Sequence, residues 1–388
     1  MEGKRFIHTL RLQNFLSYGG EGEEIELQPL NVLIGPNASG KSNLIEAIGL
    51  LKATPTDLAA AIRKGGGISE WLWKGEKEPP IAKIEVTIEY SPTAFLLYKL
   101  DFTAAKQRLE IVNETIGKDY FNEKDDDDFF YYHYQRDSGF ISVGEMEQRP
   151  GENLIPNLSM LSQIKEAYLH PGLTYLGNHF YDICLYRDWH IGRNSESRKP
   201  QQADLPEHPL LEDGSNLGLF LNNLQYQLGS RPVIEKLKKF YDEAEELSVK
   251  IYGGTVQIFI REEGLIRPIP ATRLSDGTLR YLFLLALLLD PTPPPLICIE
   301  EPEIGLHPDI LPTIAEMLIE ASQRTQLIVT THSDVLVSAL SPESVVVCER
   351  NAQGSHLRRL DSDLLKEWLK EFSLGHLWRM GEIGGTRW

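Results

Sequence analysis

The chain has 388 residues, 41% of them hydrophobic, and a formal net charge of −17. That length buries a sizeable core in one or two domains. The acidity argues against a surface that coats nucleic acid non-specifically and leaves room only for a local basic patch.

The chain opens with MEGKRFIHTL, which lacks the apolar core of a signal peptide. Arg5 to Gln13 alternates as a strand does, with Phe6, Ile7, Leu10 and Leu12 among polar neighbours. Asn14 to Tyr18 then turns at Gly19 and Gly20, and Ile25 and Leu27 start another strand. Val32, Leu33 and Ile34 form a short apolar strand. Gly35-Pro36-Asn37-Ala38-Ser39-Gly40-Lys41-Ser42 follows, and a helical apolar pattern runs from Asn43 through Leu51. This is G-x-x-x-x-G-K-S with a strand before it and a helix after it. Gly35 and Gly40 let the backbone wrap closely around phosphate oxygens, and successive N–H groups and the positive helix end face the anion. Lys41 supplies a mobile cation for β and γ phosphates, and the Ser42 hydroxyl is a ligand for Mg²⁺.

Gly65, Gly66 and Gly67 interrupt the chain, and Ile81 to Tyr90 is its cleanest alternating strand. Leu96 to Phe102 and Arg108 to Glu114 read as its meander partners, so an antiparallel sheet follows the phosphate-loop helix. The acid run ending in Asp125 to Asp128 reads as a solvated hairpin tip rather than a metal site. Leu158 to Tyr186 is patterned as helix. Arg187 to Pro209 is polar and aperiodic. With Arg187, Arg193, Arg198 and Lys199 it is the best local basic segment, either a solvated loop or a nucleic-acid or phosphate contact. Leu217 to Leu247 is helical again, broken near Gly229 to Pro232, without the sustained heptads of a coiled coil. Thr255 to Arg261 alternates like a strand.

Three features follow in order. Ser275, Asp276 and Gly277 stand ahead of the apolar helix Tyr281 to Leu289, either as a second helix-N-terminal anion site or as an ordinary Ser-Asp-Gly helix cap. That helix is the longest greasy stretch and falls short of the roughly 18 residues a bilayer span requires, so no membrane partner is expected. Leu296 to Ile299 is a buried strand ending in Glu300 and Glu301. This suits a Mg²⁺–nucleotide site in which one acid serves the metal and the next orients or deprotonates water. Leu327 to Thr330 is another such strand, and His332 follows it, able to hydrogen-bond a γ-phosphate or the attacking water. Cys184, Cys298 and Cys348 stand far apart, with neither metal spacing nor an even disulfide set, which points to a reduced cytoplasm.

The succession of Walker A, LSDGT, an apolar strand ending Glu-Glu-Pro-Glu, and Thr-His-Ser resembles the ABC-type ATPases of the SMC/RecF group. It is closest to stand-alone predicted ATPases related to the ATPase half of OLD-family proteins. LRLQNFLSY resembles the opening strand of that group, where neighbouring residues pack near the nucleotide base, and this implies a place there for Asn14. The likeness covers roughly residues 5–50 and 265–350, and the final Gly381-Glu382-Ile383-Gly384-Gly385 looks like the tail of the stand-alone members. It implies an α/β P-loop NTPase, an ABC/SMC-like head with an antiparallel β subdomain and a helical insert. The lobes would be 1–115, a mostly helical 116–250, and 251–388.

By that resemblance, Gly35 to Asn43 binds ATP phosphates, with Lys41 catalytic. Ser275, Asp276 and Gly277 belong to the signature loop. Glu300 joins Ser42 at Mg²⁺, Glu301 is the catalytic base and His332 the switch histidine. Glu300 stands where many ABC proteins have Asp, and Gln163 is the candidate for the Q-loop glutamine. In such proteins two heads sandwich two ATP molecules, so an ATP-dependent homodimer is expected, with DNA or a protein effector as partner, in DNA repair or in defence against mobile elements. The rivals are an ATP-gated sensor or scaffold and an ABC transporter subunit. The LRLQNF strand and the long insert between Ser42 and Leu274 argue against the transporter. The stretch after His332, with Asp361 and Asp363 its chief acids, is too short for the nuclease domain that OLD proteins append.

Overall fold

The computed structural model describes residues 3–118, 132–135, 141–143, 146–148, 155, 157–163, 171–189 and 192–385. Two sheets form the body. The first is antiparallel, built from β1 (Ile7–Gln13), β2 (Glu23–Glu26), β4 (Ala82–Ser91), β5 (Ala94–Ala105), β6 (Arg108–Lys118) and β7 (Tyr132–Gln135) in the order β2-β1-β4-β5-β6-β7. The second joins β3 (Leu30–Ile34), β10 (Cys184–Tyr186), β15 (Leu296–Glu300), β16 (Gln326–Thr330), β17 (Val345–Asn351) and β18 (Gly354–Arg359) in the order β10-β15-β16-β3-β17-β18. Its first five strands are mutually parallel, and β18 returns antiparallel.

Strand periodicity divides the core. Leu30, Val32, Ile34, Ile297, Ile299, Leu327 and Val329 face one hydrophobic cluster, while Leu33, Leu296, Cys298 and Ile328 face the other. Both faces of the parallel sheet are therefore covered, which is why its strands read as unbroken apolar runs. Under the second face lies α1 (Lys41–Ala53), with Leu44, Ile45, Ile48 and Leu51 packed between the two sheets. Two short helices, α2 (Leu58–Lys64) and α3 (Ile68–Trp71), lead back to β4. Against the first face lie α8 (Asp276–Leu289) and α9 (Leu311–Ala321). Every residue of α8 from Thr278 to Leu288 is buried, as an all-round apolar helix must be. Each leucine there contributes roughly 1.5–3 kcal/mol.

The middle of the chain departs from its sequence pattern. A strand pair β8 (Ile141–Val143) and β9 (Met146–Gln148) stands among the described residues of 116–250. Within 158–186 the described residues form α4 (Met160–Gln163), α5 (Pro171–Tyr181) and then β10, not helix to the end. Three residues cannot display a strand period, and Cys184 to Tyr186 become a strand only by pairing with Ile297 to Ile299. Within 217–247, α6 (Leu217–Leu228) and α7 (Ser230–Lys238) match the two expected helices, but Ala244 onward is strand. There β12 (Ala244–Tyr252) turns at Gly253 and Gly254 into β13 (Thr255–Glu262), with β11 (Gln201–Gln202) and β14 (Ile269–Pro270) at its flanks. The antiparallel sheet also continues past residue 115 and the β12–β13 hairpin straddles 250, so neither expected lobe boundary falls between elements. The acid run at 119–128 lies outside the described residues. Three helices close the chain: α10 (Asp334–Ser338), α11 (Ser362–Leu365) and α12 (Leu374–Met380). No helix among the described residues is long and apolar enough to cross a membrane.

Candidate nucleotide site

The site lies at the carboxyl ends of the parallel strands, where open α/β sheets bind ligands. After β3 the chain passes through Gly35 at φ 147°, Ala38 at 65° and Gly40 at 108°. A Cβ on Gly35 would collide with the Cys348 carbonyl oxygen, and one on Gly40 with the Ser355 and Ser17 side chains. Pro36, Asn37 and Ala38 form the outer arch, the last two exposed, while Ser39 is buried with its hydroxyl unpartnered. No side chain caps α1, so the N–H groups of its first turn point into the loop without a cap, the arrangement that receives an anion. The Lys41 ammonium donates to the Gly35 carbonyl at 2.8 Å and the Pro36 carbonyl at 2.9 Å. Its pKa is lowered by burial. Asn43 turns toward the N-terminal loop and donates to Ser17 Oγ at 2.7 Å.

Two strands away β15 delivers Glu300. Ser42 Oγ donates to Glu300 Oε2 at 3.5 Å, and Arg187, which follows β10, places Nε 3.8 Å from Oε1 while pairing with Glu46 at 2.7 Å. Burial raises the Glu300 pKa, the Arg187 charge opposing it. These four side chains line a cavity of about 630 Å³. No group of three or more His, Cys, Asp or Glu converges among the described residues. Ser42 and Glu300 alone suit Mg²⁺, which keeps most of its shell for water and substrate phosphate.

Glu301 stands in the left-handed region at φ 48°, a conformation that costs a non-glycine residue about 1–2 kcal/mol. It is held by its neighbours. Its N–H donates to the Thr330 carbonyl at 3.0 Å, and its own carbonyl accepts from Arg280 Nη2 at 2.8 Å. Arg280, from the first turns of α8, lies 3.1 Å above the Trp189 ring, and the Trp189 indole donates to the Glu300 carbonyl at 2.6 Å. Arg280 Nε and Nη1 are buried without hydrogen-bond partners. Burial pulls its pKa down to about 9, against the attraction of Glu303 and Glu301. The Glu301 carboxylate comes within 3.7 Å of His332 Nε2. Glu303 Oε1 accepts from the His332 N–H at 2.7 Å and the Thr331 hydroxyl at 2.8 Å, fixing the turn after β16.

The LSDGT loop caps its own helix, Ser275 Oγ accepting from the Thr278 N–H at 3.0 Å. Asp276 accepts from Arg198 Nη2 at 2.5 Å and from the Gly192 N–H at 3.1 Å, and Arg198 also donates to the Leu274 carbonyl. A Cβ on Gly277 would come 3.1 Å from the Gly305 carbonyl. Of the basic segment 187–209, Arg187 and Arg198 are therefore engaged within the chain, Arg187 at the cavity beside Ser42 and Glu300. Among the described residues no hydrogen bond or ion pair joins Ser275, Asp276 or Gly277 to the phosphate loop. Asn14 (φ 54°) turns its side chain to the chain just ahead of β4, donating to the Ile81 carbonyl at 3.2 Å. The neighbouring cavity of about 420 Å³ is walled instead by Ser17, Asn43, Trp73 and Arg350, among others. Gln163 closes a local turn on the backbone of Ile155 and Leu158, and none of these bonds reaches the loop. Sequence reasoning missed Arg280 and Trp189. A clue was available, since one arginine in an otherwise apolar helix is a buried charge that demands partners.

Fold and loops together define a P-loop NTPase built on the SMC-head plan. The chain belongs to the family described as "AAA domain, putative AbiEii toxin, Type IV TA system", whose model matches residues 30–338. It is an AAA-type P-loop ATPase related to SMC and RecF heads. The SMC head solved with the C-terminal winged-helix domain of ScpA superimposes with a TM-score of 0.59 at 16% identity, covering 93% of this chain and 99% of that one. An SMC head with an extended coiled coil, bound to the C-terminal domain of ScpA from Pyrococcus furiosus, gives 0.57 at 15%, covering 94% and 99%. In sequence, 90 residues (23% of this chain) are 37% identical to structural maintenance of chromosomes protein 1 of Caenorhabditis elegans. A stretch of 86 residues (22%) is 35% identical to the DNA replication and repair protein RecF of Chloroflexus aggregans. The matches span 7% and 21% of those two proteins.

Proposed function

We propose that this chain binds ATP with Mg²⁺, closes head to head with a second copy around it, and hydrolyses it to reset the pair. One observation carries the reading: the Glu301 carboxylate, borne on left-handed backbone, stands beside His332, one residue beyond the Ser42–Glu300 pair. Lys41 leaves the Gly35 and Pro36 carbonyls to meet the β and γ phosphates. Ser42 and Glu300 would hold Mg²⁺, which when bound would neutralise charge on the phosphate oxygens. Glu301 accepts the proton of the attacking water and His332 orients that water or the γ-phosphate. Ser275 and Gly277, at the N-terminus of α8, act on the partner's nucleotide. ATP is thus a ligand with higher affinity for the closed dimer.

The setting we propose is cytoplasmic, in DNA repair or in defence against mobile elements. The family description, which names a toxin–antitoxin system, supports the defence half. ATP turnover measured across protein concentration, with and without single- and double-stranded DNA and with Lys41→Ala as blank, tests the proposal. Turnover rising more than linearly with protein and stimulated by DNA is expected. Indifference to DNA removes the nucleic-acid partner and leaves a protein effector, the kind of partner ScpA is to the SMC head. Arg280→Ala is expected to lower kcat about 10²-fold, the scale of a misplaced catalytic group, with KM within about twofold, because Arg280 touches the Glu301 carbonyl and not the phosphate loop. An equal effect on KM would remove Arg280 as a positioning residue for Glu301.

A further inference from the structure

The tail Gly381-Glu382-Ile383-Gly384-Gly385 carries no chemistry of its own, yet the fold brings it to the phosphate loop. Gly384 and Gly385 take left-handed φ values of 77° and 69°. A Cβ on Gly385 would stand 3.5 Å from the Gly35 Cα, 3.4 Å from Trp378 Nε1 and 3.0 Å from a Val347 methyl. The turn is tied on three sides. The Gly385 N–H donates to Glu349 Oε1 at 2.9 Å, the Trp378 indole donates to the Gly385 carbonyl at 3.1 Å, and Arg358 donates to the Ile383 carbonyl at 2.8 Å. The helix ahead of the turn, α12, packs on α10. Along α12, a Cβ on Gly375 would collide with the Asp334 carbonyl, Arg379 pairs with Asp334 at 2.9 Å, and Ser373 and Ser338 share a 3.1 Å hydrogen bond. Asp334 and Ser338 bound α10, which begins two residues after His332.

We propose that α12 and the Gly384–Gly385 turn are a strap along one flank of the nucleotide site. The strap holds the entry of the phosphate loop at Gly35 in register with the helix behind His332. Gly385 and Glu349 are its positioning residues. This rests on the nucleotide-binding reading above. By reciprocity, a strap that favours the loaded loop must itself be favoured by the nucleotide.

The test measures binding of ADP and of the β,γ-imido analogue of ATP to the full chain and to Gly385→Ala and Glu349→Ala, with hydrogen exchange of 381–385 followed in parallel. Glu349 is exposed, so its substitution leaves the core intact if Gly385→Ala fails to fold. Gly253→Ala is the control. It carries the same left-handed penalty (φ 59°) at a hairpin tip with nothing within 4 Å. Both strap variants are expected to bind nucleotide about fivefold more weakly, the scale of one lost hydrogen bond. Nucleotide is expected to slow exchange of 381–385 in the wild type, and the control to bind as the wild type does. Wild-type affinity in both strap variants, or exchange at 381–385 indifferent to nucleotide, overturns the strap while leaving the nucleotide site standing. A wild type that binds neither nucleotide overturns both.

Discussion

Glu301→Gln is expected to lower ATP turnover by about 10³-fold, the middle of the range for losing a general base, while nucleotide still binds. The carboxamide matches the carboxylate in shape, so the surroundings of residue 301 persist: the N–H to Thr330, the carbonyl to Arg280 and the left-handed backbone. What disappears is the proton acceptor. With hydrolysis blocked, the ATP-bound state accumulates, and the variant is expected to run as a dimer in size exclusion with ATP and Mg²⁺ and as a smaller species without them. A variant that stays monomeric in saturating ATP and Mg²⁺ would sink the head-to-head reading. Unchanged turnover would move the base elsewhere, to His332 or Glu303 in the first instance.

For Lys41→Ala the expected outcome is twofold. The ammonium makes two hydrogen bonds from a partly desolvated position, and in the loaded site those bonds pass to phosphate oxygens. Charge-assisted bonds contribute about 1.5–3 kcal/mol each, so nucleotide affinity is expected to fall by at least about 10²-fold in a titration. The second effect appears without nucleotide. The Gly35 and Pro36 carbonyls lose their donor, and a melting curve is expected to show a cost of about 1–3 kcal/mol. Nucleotide at 100 times its Kd stabilises the wild type by about 2.7 kcal/mol, and at the same concentration that shift is expected to shrink to about 0.4 kcal/mol or less in the variant. A variant that keeps the shift would show that the loop backbone alone holds the phosphates.

The parts of the site legible in the sequence are those whose geometry is local. Gly35 to Ser42 is a strand, a turn and a helix start within one stretch, and Glu300 and His332 each close a strand that shows itself as an apolar run. The helix of Tyr281 to Leu289 was legible too, because it is apolar on every side. Trp189 and Arg280 were not, because their roles are tertiary, and Arg187 stood out only as one member of a basic segment. Arg187 acquires its place only when Cys184 to Tyr186 pair alongside β15, and no three-residue window announces a strand. The Trp189–Arg280 stack joins a loop and a helix distant in sequence. Asn14 and Gln163 were proposed from family likeness. Each has its side chain engaged with nearby backbone, and a likeness of motif does not fix where a side chain turns.

The strand order bears on how the chain is made. The phosphate loop is encoded near the start, but its strand β3 is flanked on one side by β16 and on the other by β17, both from the last quarter of the sequence. A ribosome adds about 5–20 residues per second. During synthesis the early segment therefore waits with both edges of Leu30 to Ile34 unpaired until Gln326 to Thr330 have emerged, and with one edge still unpaired until Val345 to Val347 follow. Unpaired strand edges invite association with other chains, and such long-range parallel pairing folds slowly. A chain that stops before Val345 leaves the β17 edge of β3 unpaired and open to other chains.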